Sequence, residues 1–247
     1  MNRDFLPNFK YIFVNPFFIT RRFLFLYIQK LSVHIRKGKL LDIGCGTKPY
    51  QSFFQDSEYV GMDYAHGINS TNPVADVFYD GKNFPFKANT FDYFLATEVL
   101  EHVFNPDEFI LEIKRVLKKG GIGIVTVPFV WDEHEIPYDF ARYSSFGIKA
   151  ILERNGFEIL EQYKTGNFIL TLGQLFCTYL YYIFSRKRFI YKVSLPLIFA
   201  PIQILTLLLS KLLPENHGFY LDNILLVKRN SEQYGRDHSK KLRLYYT

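Results

Sequence analysis

The stretch Leu40-Leu41-Asp42-Ile43-Gly44-Cys45-Gly46-Thr47 decides the fold. Lys39 to Ile43 is a short apolar run of strand length, and two glycines follow it directly. Glycine there lets the backbone turn tightly and lets a ligand approach with no Cβ in the way. A Gly-x-Gly alone is shared by many nucleotide-binding folds, but two details narrow it. Pro49 and Tyr50 stand where the dinucleotide fingerprint carries its third glycine. Asp42 sets an acid beside the loop, which repels a pyrophosphate and favours a cationic ligand.

Working outward, Phe23, Leu24, Leu26, Tyr27, Leu31 and Ile35 recur at helical spacing between Thr20 and Ile35, and Gly38 then breaks the chain. Tyr59 to Met62 reads as a second strand closing on Asp63, and Phe91 to Ala96 as a third. Asn105, Pro106 and Glu108 form an N-cap, N1 proline and capping-box acid for a helix with Phe109, Ile110, Ile113, Val116 and Leu117 on one face. Lys118-Lys119 and Gly120-Gly121 are its expected end. Ile122 to Val127 is the next strand, stopped by Pro128, and a helix from Ser145 to Asn155 ends at Gly156. Phe157 to Tyr163 and Tyr220 to Val227 complete the strands. Such alternation implies a parallel sheet with helices on both faces.

Acids fall at the strand ends. A carboxylate at Asp63 would face the ligand crevice and accept two ribose hydroxyls. Asp80, before Gly81, could accept the exocyclic amine of an adenine. Each has an alternative reading as a surface or turn residue; it is their joint order that points to a nucleoside site.

Leu40 to Thr47, Val60 to Asp63, Asp80 to Phe86, Phe91 to Val103 and Val116 to Pro128 together resemble class I S-adenosylmethionine-dependent methyltransferases. The likeness spans roughly residues 20–165 and is greatest to the small-molecule branch that acts on quinones and lipids. It implies a Rossmann-like α/β fold, a seven-stranded sheet with helices on both faces, ending in an antiparallel strand pair. It also implies S-adenosylmethionine held by Asp42, Gly44, Gly46, Asp63 and Asp80. Thr97-Glu98-Val99-Leu100-Glu101-His102 matches the family's stretch bordering the methionine end of the cofactor, which adds Glu98 to the set. His102 reads as a helix-start residue nearby, and Cys45 as a small packing residue.

The loop Trp131-Asp132-Glu133-His134-Glu135-Ile136-Pro137-Tyr138-Asp139-Phe140-Ala141-Arg142-Tyr143 follows the fifth strand. It resembles a His-x-x-Pro-Tyr-Asp-Phe-x-Arg-Tyr pattern in methyltransferases encoded among polysaccharide and lipid assembly genes. Methyl transfer is an in-line displacement that depends on alignment, and an oxygen acceptor often needs a base. His134 is the candidate base, with Asp139, Arg142 and Tyr143 as positioners. The alternative is a structural network pairing Arg142 with Asp139 and satisfying His134 from the backbone.

Asn167 to Phe184 and Val193 to Ser210 are uncharged, and Ser185 to Lys192 between them is strongly basic. Each approaches the roughly 18-residue length of a spanning helix. A basic connection disfavours crossing, and Pro196 and Pro201 interrupt the second segment. A shallow hairpin in one leaflet is the favoured expectation, against a soluble lid or a dimer interface. The expected organisation is a core of residues 1–166 and 218–230, an apolar insertion of 167–217, and a basic mobile tail of 231–247.

The formal net charge of +6 leaves two readings: a solvated basic surface, or attraction to an anionic leaflet. No cluster forms a nucleic-acid module, so no nucleic-acid partner is expected. The first residues, Met1-Asn2-Arg3-Asp4, lack a secretory layout. Cys45 and Cys177 are the only cysteines, so neither a disulfide framework nor a metal site is expected, in a cytoplasmic protein peripheral to the inner membrane face. The expected activity is methyl transfer from S-adenosylmethionine to a small-molecule, lipid-linked, lipid-like or saccharide acceptor, oxygen favoured. The alternatives are a membrane-associated S-adenosylmethionine-binding scaffold without turnover, and a nicotinamide-dependent oxidoreductase.

Overall fold

The computed structural model describes residues 8–65 and 74–231. The start Met1 to Asp4 and the tail from 232 onward lie outside the described residues. Seven strands, β1 (Lys39–Ile43), β2 (Glu58–Tyr64), β3 (Val77–Tyr79), β4 (Phe91–Thr97), β5 (Leu117–Pro128), β6 (Phe157–Lys164) and β7 (Asp222–Arg229), join in one sheet of order β3-β2-β1-β4-β5-β7-β6. Strands β1 to β5 pair in parallel, and β7 runs antiparallel to both β5 and β6.

Period-two alternation sorts the strand residues onto two faces. Leu41, Phe94, Ala96, Val125, Val127 and Leu225 point one way, under α2 (Pro106–Val116) and α3 (Ser145–Arg154). Their neighbours Leu40, Leu95, Ile124, Ile224 and Leu226 point the other way, under Leu24, Ile28 and Leu31 of α1 (Phe18–Leu31). Both faces are therefore dry, as a parallel sheet requires.

Two local expectations need correcting. Asn105 stands at the N-cap of α2, but its side chain makes no capping hydrogen bond; Pro106, which has no N–H to satisfy, starts the helix. The helix also stops at Val116. Lys118 to Gly121 are already part of β5, where Leu117 pairs with Phe91 and Lys118 reaches Asp92 at 2.7 Å. Pairing with β4 outweighs the helix-ending signal of the lysines and glycines. The short edge strand β3 has no counterpart in the sequence reading, since three residues carry no periodicity.

Between β6 and β7 the chain forms α4 (Phe168–Phe184), α5 (Arg188–Ser194), a π turn over Leu195–Phe199, and α6 (Ala200–Leu212). Arg188–Leu212 is continuous enough in helix to count as one apolar element of 25 residues. Register fixes its place: Asp222 at the start of β7 pairs with Pro128 at the end of β5, and Asn223 with Lys164 at the end of β6. The helical insertion thus emerges at the edge of the sheet where the parallel strands end, which is the ligand side of such a fold. Two glutamines dock it on the N-terminal segment. Gln174 Nε2 donates to Pro16 O at 3.1 Å, and Gln203 Nε2 donates to Asn15 O at 3.1 Å.

Candidate active site

A cavity of about 600 Å³ opens at the carboxyl ends of β1, β2 and β4, within the range of small-molecule sites. Its lining includes Gly44, Gly46, Asp63, Glu98 and His102. The turn after β1 is built by Gly44 at φ +65° and Gly46 at φ +48°, with Gly44 N and Cys45 N both donating to Met62 O. A Cβ on Gly44 would lie 2.6 Å from Val99 Cγ2, so the backbone can come this close only as glycine.

Asp63 closes β2, is buried, and contributes to the cavity wall; its Oδ1 accepts from Tyr64 N at 2.9 Å. Asp42 sits deeper and outside the lining. Its carboxylate accepts the Tyr59 hydroxyl, and burial pushes its pKa up to about 7 despite that bond and the Lys48 charge. Lys48, at φ +52°, reaches Asp76 at 2.6 Å, and Asp76 in turn accepts Gly61 N at 2.7 Å. That clamp ties the turn after β1 to β2. Asp80 also stands outside the lining: Oδ1 accepts the backbone N–H of Lys82 and Asn83, and Gly81 and Lys82 face the cavity instead. Its exposed carboxylate is held below the usual range by those two N–H groups. Of the six expected cofactor residues, the cavity therefore gathers four, with Asp42 beneath it and Asp80 at its margin.

Beyond β4 the chain turns sharply at Glu98, a non-glycine residue at φ +54°. Such a conformation is costly and must be held by its surroundings. Thr126 holds it: Oγ1 donates to Glu98 Oε1 at 2.6 Å, and Glu98 N reaches back to Thr126. Burial raises the Glu98 carboxyl to about 7, while Thr126 and the Arg142 charge offset part of the shift. A one-turn helix, Leu100–His102, follows. Glu101 within it is 0% exposed, and burial together with the Glu98 charge lifts its carboxyl well above the usual range.

The loop after β5 folds back on this turn. Phe140 N and Ala141 N donate to Glu101 O, and His102 Nδ1 lies 2.8 Å from Tyr138 O. Arg142 grips Asp139 with both terminal nitrogens at 2.6 Å and donates to Asp132 O at 2.7 Å. Burial alone would raise Asp139, but the Arg142 hydrogen bonds and the His134 N–H outweigh it and hold the carboxyl at about 2. His134 is wired into the same network. Its N–H donates to Asp139 Oδ2 at 2.9 Å, and its Nδ1 lies 3.2 Å from both Asp139 Oδ2 and Asp132 O. The ring stands edge-on to His102 at 4.7 Å; His102 lines the cavity and His134 does not.

Sequence reasoning singled out neither Glu101 nor the Lys48–Asp76 clamp. A second acid three places after Glu98, at the end of a strand, was the available signal for Glu101; nothing local marks Asp76 as a partner of Lys48.

Residues 41–125 match the family model described as a methyltransferase domain. A protein of Methanocaldococcus jannaschii described as uncharacterized is 38% identical over 104 residues, 40% of this chain and 50% of that protein. A tRNA (carboxymethyluridine(34)-5-O)-methyltransferase of Schizosaccharomyces pombe is 31% identical over 110 residues, 42% of this chain and 47% of that one. The chain spans about half the length of these curated relatives. Among solved structures, phosphoethanolamine N-methyltransferase 2 of Haemonchus contortus, in complex with S-adenosyl-L-methionine, aligns over 90% of this chain and 56% of its own. Its TM-score is 0.53 at 18% identity, a likeness of fold.

Proposed function

We propose that the core of this chain is a class I S-adenosylmethionine-dependent methyltransferase domain and that the protein methylates a small molecule presented at a membrane surface. One observation carries the reading: Gly44, Gly46, Asp63 and Glu98, from three strand ends, wall a single cavity at the crevice of a β3-β2-β1-β4-β5-β7-β6 sheet. S-adenosylmethionine supplies an electrophilic methyl group on a sulfonium. The residues present fit that cofactor. The Gly44 turn leaves room for close backbone approach, the Asp63 carboxylate can accept ribose hydroxyls, and Glu98 offers an acceptor to an ammonium group. Asp42 contributes from beneath by holding Tyr59, and Asp80 by fixing the turn whose Gly81 and Lys82 border the cavity.

His102 borders the cavity and His134 stands behind it, so an acceptor hydroxyl reaches imidazole first at His102. Catalysis by these groups is consistent with an oxygen acceptor. A lipid-linked or lipid-like acceptor is favoured by the position of the insertion. Tyr182 of α4 donates to the Asp132 carboxylate, and Phe17 packs on both Trp131 and Tyr181, so the apolar helices adjoin the acceptor loop.

Isothermal titration of the full chain with S-adenosylmethionine, S-adenosylhomocysteine and NAD tests the cofactor. Saturable binding of the first two and none of NAD is expected. Asp63→Ala should weaken S-adenosylmethionine by about 1–3 kcal/mol through loss of a buried hydrogen-bond partner. Unchanged affinity in the folded variant would remove Asp63 from the site.

A further inference from the structure

Glu101, His102 and His134 each bring one ligand-capable atom to within 4.8 Å of the others. Glu101 is the anomaly among them. It is fully buried, and neither carboxylate oxygen accepts a hydrogen bond from another residue. Oε1 stops 3.8 Å from His102 Nε2, beyond hydrogen-bonding reach. Buried polar atoms nearly always have partners, so an orphan carboxylate aimed at two imidazoles requires an explanation.

The imidazoles are held in a way that answers it. His102 Nδ1 lies 2.8 Å from Tyr138 O, an acceptor only, so Nδ1 carries the proton and Nε2 the lone pair. His134 Nδ1 lies 3.2 Å from two acceptors, the Asp139 carboxylate and Asp132 O, and 3.5 Å from the Arg142 guanidinium, a donor; the two shorter contacts favour the proton on Nδ1 and the lone pair on Nε2. Asp139 is in turn locked by Arg142. A histidine that donates its second N–H to a carbonyl or carboxylate is the usual setting of a metal-ligating histidine.

We propose that Glu101, His102 and His134 form a divalent-cation site at the acceptor side of the cavity. Two imidazoles and one carboxylate suit a first-row transition cation such as zinc, manganese or iron(II) better than magnesium or calcium, which prefer oxygen donors throughout. Three protein ligands leave coordination positions open. Because His102 lines the cavity, an acceptor oxygen can take one of them, and the cation would polarise its O–H bond. That last role rests on the methyl-transfer reading; the site itself does not. The sequence reading expected no metal because it looked for cysteine and for regular spacing, whereas these ligands are one adjacent pair and one residue from a distant loop.

The test is a titration of chelator-treated full-length protein with Co2+, followed by visible absorption, with Zn2+ as competitor and Mg2+ as contrast. One Co2+ per chain, displaced by Zn2+ and not by Mg2+, is expected. Glu101→Gln and His102→Gln should each abolish the saturable spectrum. Asp139→Asn, acting through His134, should weaken binding about 10–100-fold. Circular dichroism and S-adenosylmethionine titration on the same samples separate loss of fold and failure of the cofactor reading from failure of this one. Stoichiometric uptake by a chain that ignores S-adenosylmethionine still supports the site. A folded wild-type chain that takes up none of these cations overturns the proposal, as does equal uptake by Glu101→Gln.

Discussion

The sheet and the helical insertion are both rich in large apolar side chains, and they use them in opposite ways. In the sheet, Phe91, Phe94 and Leu95 are buried beneath helices, while charged groups such as Lys39 and Glu58 meet each other at the surface. In α4 and α6 the pattern is inverted. Thr171, Gln174, Thr178, Gln203 and Thr206 are buried, whereas Phe176, Tyr179, Leu205, Leu208 and Leu212 are exposed, Leu212 at 78%. The two helices touch where Gly173 meets Thr206, with no room for a Cβ, while Gln174 and Gln203 turn to the N-terminal segment. Close packing on small residues with hydrogen-bonded polar groups inside is how helices associate when their surroundings are lipid. The two regions thus expose opposite kinds of side chain. The basic Arg186, Lys187, Arg188 and Lys192 at the hairpin's far end suit anionic headgroups. This inversion is the strongest support for the membrane part of the reading.

The sharpest way to break that contrast is to make the exposed face of α6 polar. Leu205→Glu, Leu208→Glu and Leu212→Glu together should lower partition onto anionic liposomes by about a thousandfold or more, since each leucine entering a leaflet contributes roughly 1.5–3 kcal/mol. Sedimentation with vesicles measures it; unchanged partition would mean that the face is covered by protein, as a lid or in a dimer. Next in size is a core truncation. Phe94→Ala should cost about 3–5 kcal/mol in a denaturant titration, through lost burial and the cavity left behind. Phe176→Ser on α4 should cost less than about 1 kcal/mol in the same experiment, because Phe176 is half exposed before and after. Equal losses would erase the distinction between the two regions.

Asp42 sharpens the comparison from the sheet side, as a charge that the core disfavours. Its pKa is raised from 3.8 to about 7, chiefly by burial, so the fold prefers the neutral acid. The stability it contributes is fully present below about pH 4 and is lost as pH rises through about 7. At 1.36 kcal/mol per unit, the whole effect is about 4 kcal/mol at most. In the cofactor-free protein, Asp42→Asn should therefore flatten the fall in stability between pH 4 and 8. Parallel pH profiles of the two proteins would sink this account of Asp42.

Much of the fold was legible because its signals are local. Lys39–Ile43 is β1 without a change of bounds, and the helix read from Ser145 to Asn155 is α3 (Ser145–Arg154). The end of α2 was misread because Lys118 to Gly121 look like a helix terminus, and only their pairing with β4 reveals a strand. The site divides in the same way. Gly44, Gly46 and Asp63 follow from their positions at strand ends, whereas Glu101, Asp76 and Thr126 matter through contacts between distant segments, which spacing cannot express. His134 was identified as chemistry, but that it stands behind His102 depends on how the loop folds back over the turn after β4.

The central claim is that this crevice moves a methyl group. The most direct test incubates the purified full chain with methyl-labelled S-adenosylmethionine and, separately, a membrane lipid extract, a soluble metabolite fraction and total tRNA. The account predicts label in the lipid extract, formation of S-adenosylhomocysteine in equal amount, and roughly 10²–10⁴-fold slower transfer by His102→Ala, the imidazole that borders the cavity. Label confined to tRNA would replace the lipid acceptor with RNA, and a chain that binds S-adenosylmethionine yet labels none of the three would contradict the claim of turnover.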